Sequence, residues 1–227
     1  MSASIPRLRL DQMRPDLADY LTPRVRRLGY LGELFQVAGH APDVLLTFMH
    51  FTEALKDALP DKLAETAVLT TATLMENAYE RNQHERLCVR LGFGHDWINE
   101  VERLEPERAT LMSEAERAVQ AYVIAALATR GLQAQAEFER LATLLPPAQA
   151  VSVAMLIGRY ATHALIVNTF RLSPPVPSIR DDGFGLPSQA ADPGTATSGS
   201  AAHGGAMPDT AATGAGTPSA NTQRQER

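Results

Sequence analysis

Apolar positions recur at intervals of three and four residues through most of the chain, and no segment alternates with a period of two. That pattern predicts an all-α fold. Ala41-Pro42-Asp43 opens one helix, since Pro is tolerated in a first turn. Val44, Leu45, Phe48, Phe51, Ala54, Leu55 and Leu59 follow at helical spacing and are expected to be buried. Leu59-Pro60-Asp61 opens the next helix, which carries Leu63, Ala64, Ala67, Val68, Ala72 and Leu74. Asn77-x-x-Glu80 resembles a capping box, which predicts a break near Asn77 and a further helix over 78–91 closed by Gly92 and Gly94. Shorter helices are expected over 31–37 and 96–104. Ser113-x-x-Glu116 is a second capping box, ahead of a helix that Gly131 stops. A helix over 133–144 ends at Pro146-Pro147, and the most apolar one, over 148–172, ends at Ser173-Pro174-Pro175. Leu59-Pro60 and Leu145-Pro146 begin similar segments, which leaves a two-half repeat open.

Both ends of the chain read differently from this middle. Residues 1–24 form an N-terminal arm with a weak stripe of Leu8, Leu10, Met13, Leu17 and Leu21, interrupted by Pro15. Pro23 starts a basic segment with Arg24, Arg26 and Arg27, which either steers an anionic ligand or is a solvated arm. The helical domain is placed at residues 25–173. Residues 174–227 form a Pro-, Gly-, Ala-, Ser- and Thr-rich tail, with the sharpest change in composition near Asp181. Such a segment buries too little apolar surface to offset its ordering entropy, so disorder is expected.

Composition narrows the possible partners. The 227-residue chain has a formal charge of −5, and its pI of 5.7 argues against nucleic acid or an anionic membrane as the main partner. No apolar run is read as reaching the roughly 18–20 residues that span a bilayer. The N-terminus lacks the apolar core of a secretory signal. Cys88 is the single cysteine, which excludes an intrachain disulfide and fits a reducing, cytoplasmic location. No Gly-rich phosphate loop follows a strand. Glu80, His84 and His163 make a weak set of metal ligands without an ordered motif. Neither metal nor cofactor is expected.

The candidate chemistry lies between Glu65 and His84. In a helix after Asn77, Asn77, Glu80 and His84 share one face. A carboxylate four residues before a histidine can hydrogen-bond to it, share a proton or bind a metal with it. Glu65 interrupts an apolar run, so it is either buried with a partner or lies on a wet stripe beside Lys62. Tyr79 either packs or orients a ligand. Arg159, Tyr160 and His163 interrupt the apolar last helix and either line the same cavity or lie at an exposed edge. In the first case Arg159 is a candidate bidentate partner for a substrate carboxylate. His95 and Trp97 read as local packing.

This constellation resembles the core of the carboxymuconolactone decarboxylase superfamily, which includes the alkylhydroperoxidase AhpD. Its redox members read Glu, eleven residues, then Cys-x-x-Cys-x-x-x-His. The same spacing here gives Glu65, Asn77, Glu80 and His84, with both cysteine positions replaced. Asn-Ala-Tyr-Glu followed by His is similar to cysteine-free members, in which an aromatic–Glu pair precedes the histidine. The likeness extends more loosely over residues 25–172. It implies an AhpD-like helical domain that assembles as a trimer or hexamer. It also implies cofactor-independent acid–base chemistry, a decarboxylation or related lyase step, on a small unsaturated organic acid or lactone. Glu65, Glu80 and His84 would be catalytic, and Asn77, Tyr79, Arg159 and His163 would bind substrate. Asn77 and Glu80 cannot form a thiolate, and Cys88 lies outside the motif, so dithiol peroxidase activity is not expected. The alternative is a cysteine-free member that serves as a non-catalytic ligand-binding protein or scaffold. An enclosed polar cavity beside Glu65 and His84 marks the enzyme, and a site filled by side chains marks the scaffold.

Overall fold

Ten consecutive residues, Leu63 to Ala72, are buried in the middle of one helix, α4 (Asp61–Leu74), and the other helices are arranged around it. The sequence allows this because Ala64, Ala67 and Ala72 are small. Of the buried threonines, Thr66 donates to the Lys62 carbonyl at 2.7 Å and Thr70 accepts from Gln120 at 3.2 Å. The computed structural model describes residues 5–181. Its helices before α4 are α1 (Pro15–Leu28), α2 (Glu33–Ala38) and α3 (Pro42–Asp57). After it come α5 (Ala78–Arg90), α6 (His95–Glu102), α7 (Glu114–Thr129), α8 (Gln135–Leu144) and α9 (Pro147–Phe170). No strand occurs among the described residues, and the fold is all-α.

α4 packs on α5, α6, α7 and α9. The largest apolar cluster joins α3, α4, α7, α8 and α9 through Leu55, Leu63, Val119, Leu141, Val153 and Leu156. A second cluster, including Leu69, Cys88, Trp97 and Ile98, lies between α4, α5 and α6. Trp97 donates its indole N–H to Glu116, and Glu116 also closes the Ser113 capping box.

Several expectations change. The expected N-terminal arm contains most of α1, which runs on to Leu28. Pro15 is not an interruption but the first residue of α1, and Pro23 lies inside that helix. Leu17 and Leu21 are fully buried against Leu45 and Met49, which anchors α1 despite the ladder bond Pro23 removes. Val44 and Ala54 are exposed rather than buried, because Leu45, Met49, Thr52 and Leu55 set the inward phase of α3. α9 is long and apolar enough to cross a membrane by length and composition, contrary to the reading above. Half of its most apolar window is nevertheless buried inside this protein.

The start of the expected tail is also reassigned. Residues 173–181 form a strap that returns to α5. The Glu85 carboxylate, with no exposure, accepts from Ser178 Oγ at 2.6 Å, Ile179 N at 2.9 Å and Arg180 Nη1 at 3.2 Å. Arg180 also pairs with Glu102 and donates to Asn99 at 2.7 Å. A buried carboxylate needs partners, and the strap supplies them. The remainder of the tail, residues 182–227, lies outside the described residues.

Ending the chain after Leu172 leaves Glu85 with only its ion pair to Arg81 and is expected to lower Tm by about 5 °C or more, on the scale of losing one partner of a buried charge. Ending it after Asp181 is expected to leave Tm unchanged. Thermal melts of the two truncations and the full chain check this, and equal melts for all three would refute the strap's role.

Candidate functional site

Four helices deliver the site. α4 brings Glu65, the start of α5 brings Asn77, Tyr79, Glu80 and His84, α9 brings Arg159, Tyr160 and His163, and α3 brings Thr52. All of them are buried. The break between α4 and α5 occurs where the sequence places it. Asn77 caps α5, its side-chain oxygen accepting from Glu80 N at 3.2 Å. Only that half of the expected capping box forms, because the Glu80 carboxylate turns inward to other partners.

Those partners organise the site. Glu80 Oε1 lies 2.8 Å from His163 Nε2 and 3.4 Å from Arg159 Nη1, and its Oε2 lies 3.3 Å from His84 Nε2. On its other side, His84 Nδ1 lies 2.5 Å from Glu65 Oε2. The Tyr160 hydroxyl is 3.2 Å from His84 Nε2. One polar chain therefore runs from Glu65 through His84 and Glu80 to His163.

The cap also fixes a tautomer. With its oxygen on Glu80 N, the Asn77 amide presents Nδ2 to His163 Nδ1 at 3.3 Å. Nδ1 must then accept, and the ring proton of neutral His163 sits on Nε2, facing Glu80. At His84 the Glu65 carboxylate places the proton on Nδ1, leaving Nε2 with two neighbours of opposite character. Tyr160 can donate to a neutral ring, and Glu80 can accept from a protonated one.

Electrostatics follow from this geometry. Burial opposes ionisation of Glu80, yet His163, His84 and Arg159 outweigh it and hold its carboxyl well below the usual range. Burial likewise opposes the charged form of His84, but Glu65 and Glu80 overcome it and raise the imidazolium above its ordinary value. Burial pushes the Tyr160 phenol up, so it keeps its proton.

A cavity of about 690 Å³ opens on this floor, with Glu80, His84, Arg159, Tyr160, His163 and Tyr79 in its wall. Glu65 lies behind His84 and does not line it. Of the expected substrate-binding residues, Asn77 is not in the lining, whereas His163 is, with its ring nitrogens against Asn77 and Glu80. Tyr79 accepts from Leu34 N at 3.3 Å and packs beside His163. Its hydroxyl comes so near Gly32 that a Cβ there would lie 2.2 Å away, which requires glycine. Arg159, the candidate partner for a substrate carboxylate, is engaged within the protein. Nε donates to Thr52 at 2.8 Å, Nη1 faces Glu80, and the plane lies over Phe48 and Tyr160. Tyr160, which the sequence offers as a candidate lining residue without a role of its own, lines the cavity. Thr52 is not among the candidate residues. Thr52 carries no sequence signal. Among the described residues no group of three or more His, Cys, Asp or Glu side chains is arranged to hold a metal.

No family model matches the sequence, and no curated protein does. Solved structures do match. An uncharacterised peroxidase-related protein with an alkylhydroperoxidase AhpD core, from Ralstonia eutropha JMP134, superposes with a TM-score of 0.65 at 18% identity, over 74% of this chain and 90% of that one. The chain has an AhpD-like fold. The debrominase Bmp8, as a cysteine-to-alanine variant with 2,3,4-tribromopyrrole, superposes with a TM-score of 0.66 at 16% identity, covering 77% and 92% of the two chains. An Agrobacterium tumefaciens protein of unknown function, provisionally called an AhpD antioxidant-defence protein, gives 0.56 at 21% identity, covering 62% and 96%. At these identities the likeness is one of fold.

The two buried ionisations give the AhpD-like domain a pH signature. His84, raised when folded, contributes stability that is complete below its ordinary value of 6.5 and lost as pH rises through the folded value. Glu80, depressed when folded, contributes stability that is complete above 4.5 and lost as pH falls through its folded value. His84→Gln is expected to flatten the alkaline decline in Tm, and Glu80→Gln the acid decline. Glu102, pushed up to about 7 by burial and by Glu85 despite Arg180, also favours the fold at lower pH. The difference between wild type and variant, not the absolute slope, is therefore the measurement.

Proposed function

We propose that the protein is a cofactor-independent acid–base catalyst that decarboxylates a small unsaturated organic acid or lactone acid. The observation that carries this reading is the Glu65–His84 pair, with the carboxylate held at Nδ1 and the imidazole in the lining of the cavity. Such an arrangement orients an imidazole and stabilises its charged form, the requirement for a proton donor near neutrality. In the proposed step the bond from carbon to carboxylate breaks and carbon dioxide leaves. The electron pair spreads over the conjugated carbonyl as a dienolate, and His84 protonates carbon from Nε2. Tyr160 then donates to the neutral ring until solvent returns a proton. Open space of about 690 Å³ beside His84 favours this reading over a non-catalytic scaffold, whose site would be filled by side chains.

Thiol chemistry has little to stand on. Cys88 has no exposure and does not line the cavity, and burial followed by the Glu65 charge pushes its thiol up. A depressed thiol is what a redox site needs.

The test is carbon dioxide release from a panel of unsaturated acids and lactone acids, 4-carboxymuconolactone among them. His84→Gln and Glu65→Gln are each expected to reduce turnover by about 100-fold or more, and the double variant to lose little further, because the pair acts as one unit. No turnover of any panel member, or losses that multiply in the double variant, would sink the proposal.

We further propose that copies of the chain associate through α9. Its exposed positions Val151, Met155, Gly158, Thr162, Leu165 and Thr169 are spaced four, three, four, three and four, and none is charged. That is the stripe of a helix pair. In an antiparallel two-fold pairing, Gly158 meets Thr162 and Met155 meets Leu165, small against small and large against large. Light scattering is expected to show an oligomer that Met155→Glu with Leu165→Glu dissociates. A wild-type monomer at micromolar concentration rules it out.

A further inference from the structure

Positive charge is concentrated at the mouth of the cavity. Six Arg and Lys side chains line it against two glutamates, in a chain whose net charge is −5. Three of the six have local partners. Arg159 is held by Glu80 and Thr52, Arg24 lies 4.0 Å from Glu53, and Arg86 has contacts of its own. The other three are Arg27 from α1, Lys56 from α3 and Arg90 from α5. None of them forms an ion pair or hydrogen bond with another described residue. Arg27 and Arg90 are exposed and Lys56 is half-buried, whereas the Glu80–His84 floor is buried.

The lining also includes the apolar or aromatic side chains Tyr30, Leu34, Phe35 and Leu87. The volume lies within the range of about 300–1,000 Å³ that holds ligands larger than a six-carbon acid. The cavity thus combines three kinds of lining. Unpaired cations that are exposed or half-buried, apolar side chains, and buried titratable groups all face it. Like charges from three separate helices repel one another, so leaving them unpaired at one opening costs stability unless an anion joins them. The planar forks of Arg27 and Arg90 suit an oxyanion.

We propose that Arg27, Lys56 and Arg90 form an anion-docking site. It takes the phosphate or carboxylate head group of an elongated ligand, whose apolar part lies along Phe35 and Leu87 and whose other end approaches His84. The proposal shares with the preceding section the assignment of the cavity as a ligand site, but it requires binding only, not turnover. It places selection at the mouth and reaction at the floor.

The test is titration calorimetry on the full chain in a phosphate-free, low-salt buffer, with three probes that differ only in their head: hexyl phosphate, hexanoate and hexanamide. Saturable one-to-one binding is expected for at least one anionic probe, with hexanamide at least tenfold weaker. The stronger of the two anions identifies the head group. Arg27→Glu with Arg90→Glu is expected to weaken the anion at least tenfold and to flatten its salt dependence. Lys56→Met, which adds no new charge, is expected to weaken it in the same direction and serves should the double variant melt early. The proposal is overturned by equal binding of hexanamide, by anion binding that survives these substitutions, or by the absence of saturable binding for both anions. Because no turnover is read, the result stands apart from the decarboxylation assay.

Discussion

A carboxylate in the interior must be neutralised where it stands, and Glu80 is the one around which this molecule is arranged. It lies 7% exposed, and leaving it unpaired would cost several kcal/mol. His163 and Arg159 come to it from α9 and His84 from its own helix. Asn77 contributes twice, by capping the Glu80 backbone and by setting the tautomer of His163. Each group is held by the next. A polar seam through an otherwise apolar core ties α4, α5 and α9 into a single arrangement, and a register shift between those helices would strand several charges at once. Specificity of packing and readiness for proton transfer thus arise from the same contacts.

Much of this was legible in the sequence, and the division follows physical lines. The break at Asn77 and the two helices beside it could be read because capping is a local interaction over three residues. The Glu65–His84 pairing was accessible through spacing together with family resemblance. What α9 contributes was only half visible. Arg159 and His163 stood out against apolar neighbours, but their partners lie about eighty residues away, and periodicity fixes the phase of one helix without naming what it meets. The sequence offered Arg159 as a partner for a substrate carboxylate and could not show its contacts with Glu80, Thr52 and two aromatic rings. Val44 failed for a related reason: α3 has more apolar residues than its buried face can hold, so pattern alone could not choose among them. Residues 173–181 were hidden by the averaging that made the tail recognisable. One isoleucine, one serine and one arginine suffice to anchor the strap, because Glu85 waits for them.

The replacement of both cysteine positions in the resembled motif has a structural side. Asn77 and Glu80 do more than remove thiols. One is a helix cap and the other bridges two imidazoles. A proton path along a carboxylate–imidazole chain needs neither a reductant nor a resolving partner, and that suits a chain with a single cysteine.

That cysteine has a use of its own. Cys88 sits one turn beyond His84, fully enclosed by Leu69, Trp97 and Ile98, with its thiol 3.8 Å from Glu65 Oε2. A reagent in solvent can reach the sulfur only while α5, α6 or the 173–181 strap lifts from this cluster. The rate at which the thiol is alkylated under native conditions therefore reports how often the packing beside the Glu65–His84 contact opens. Nature has left a single-atom clock beside the catalytic candidate, and it runs without any label being engineered into the chain.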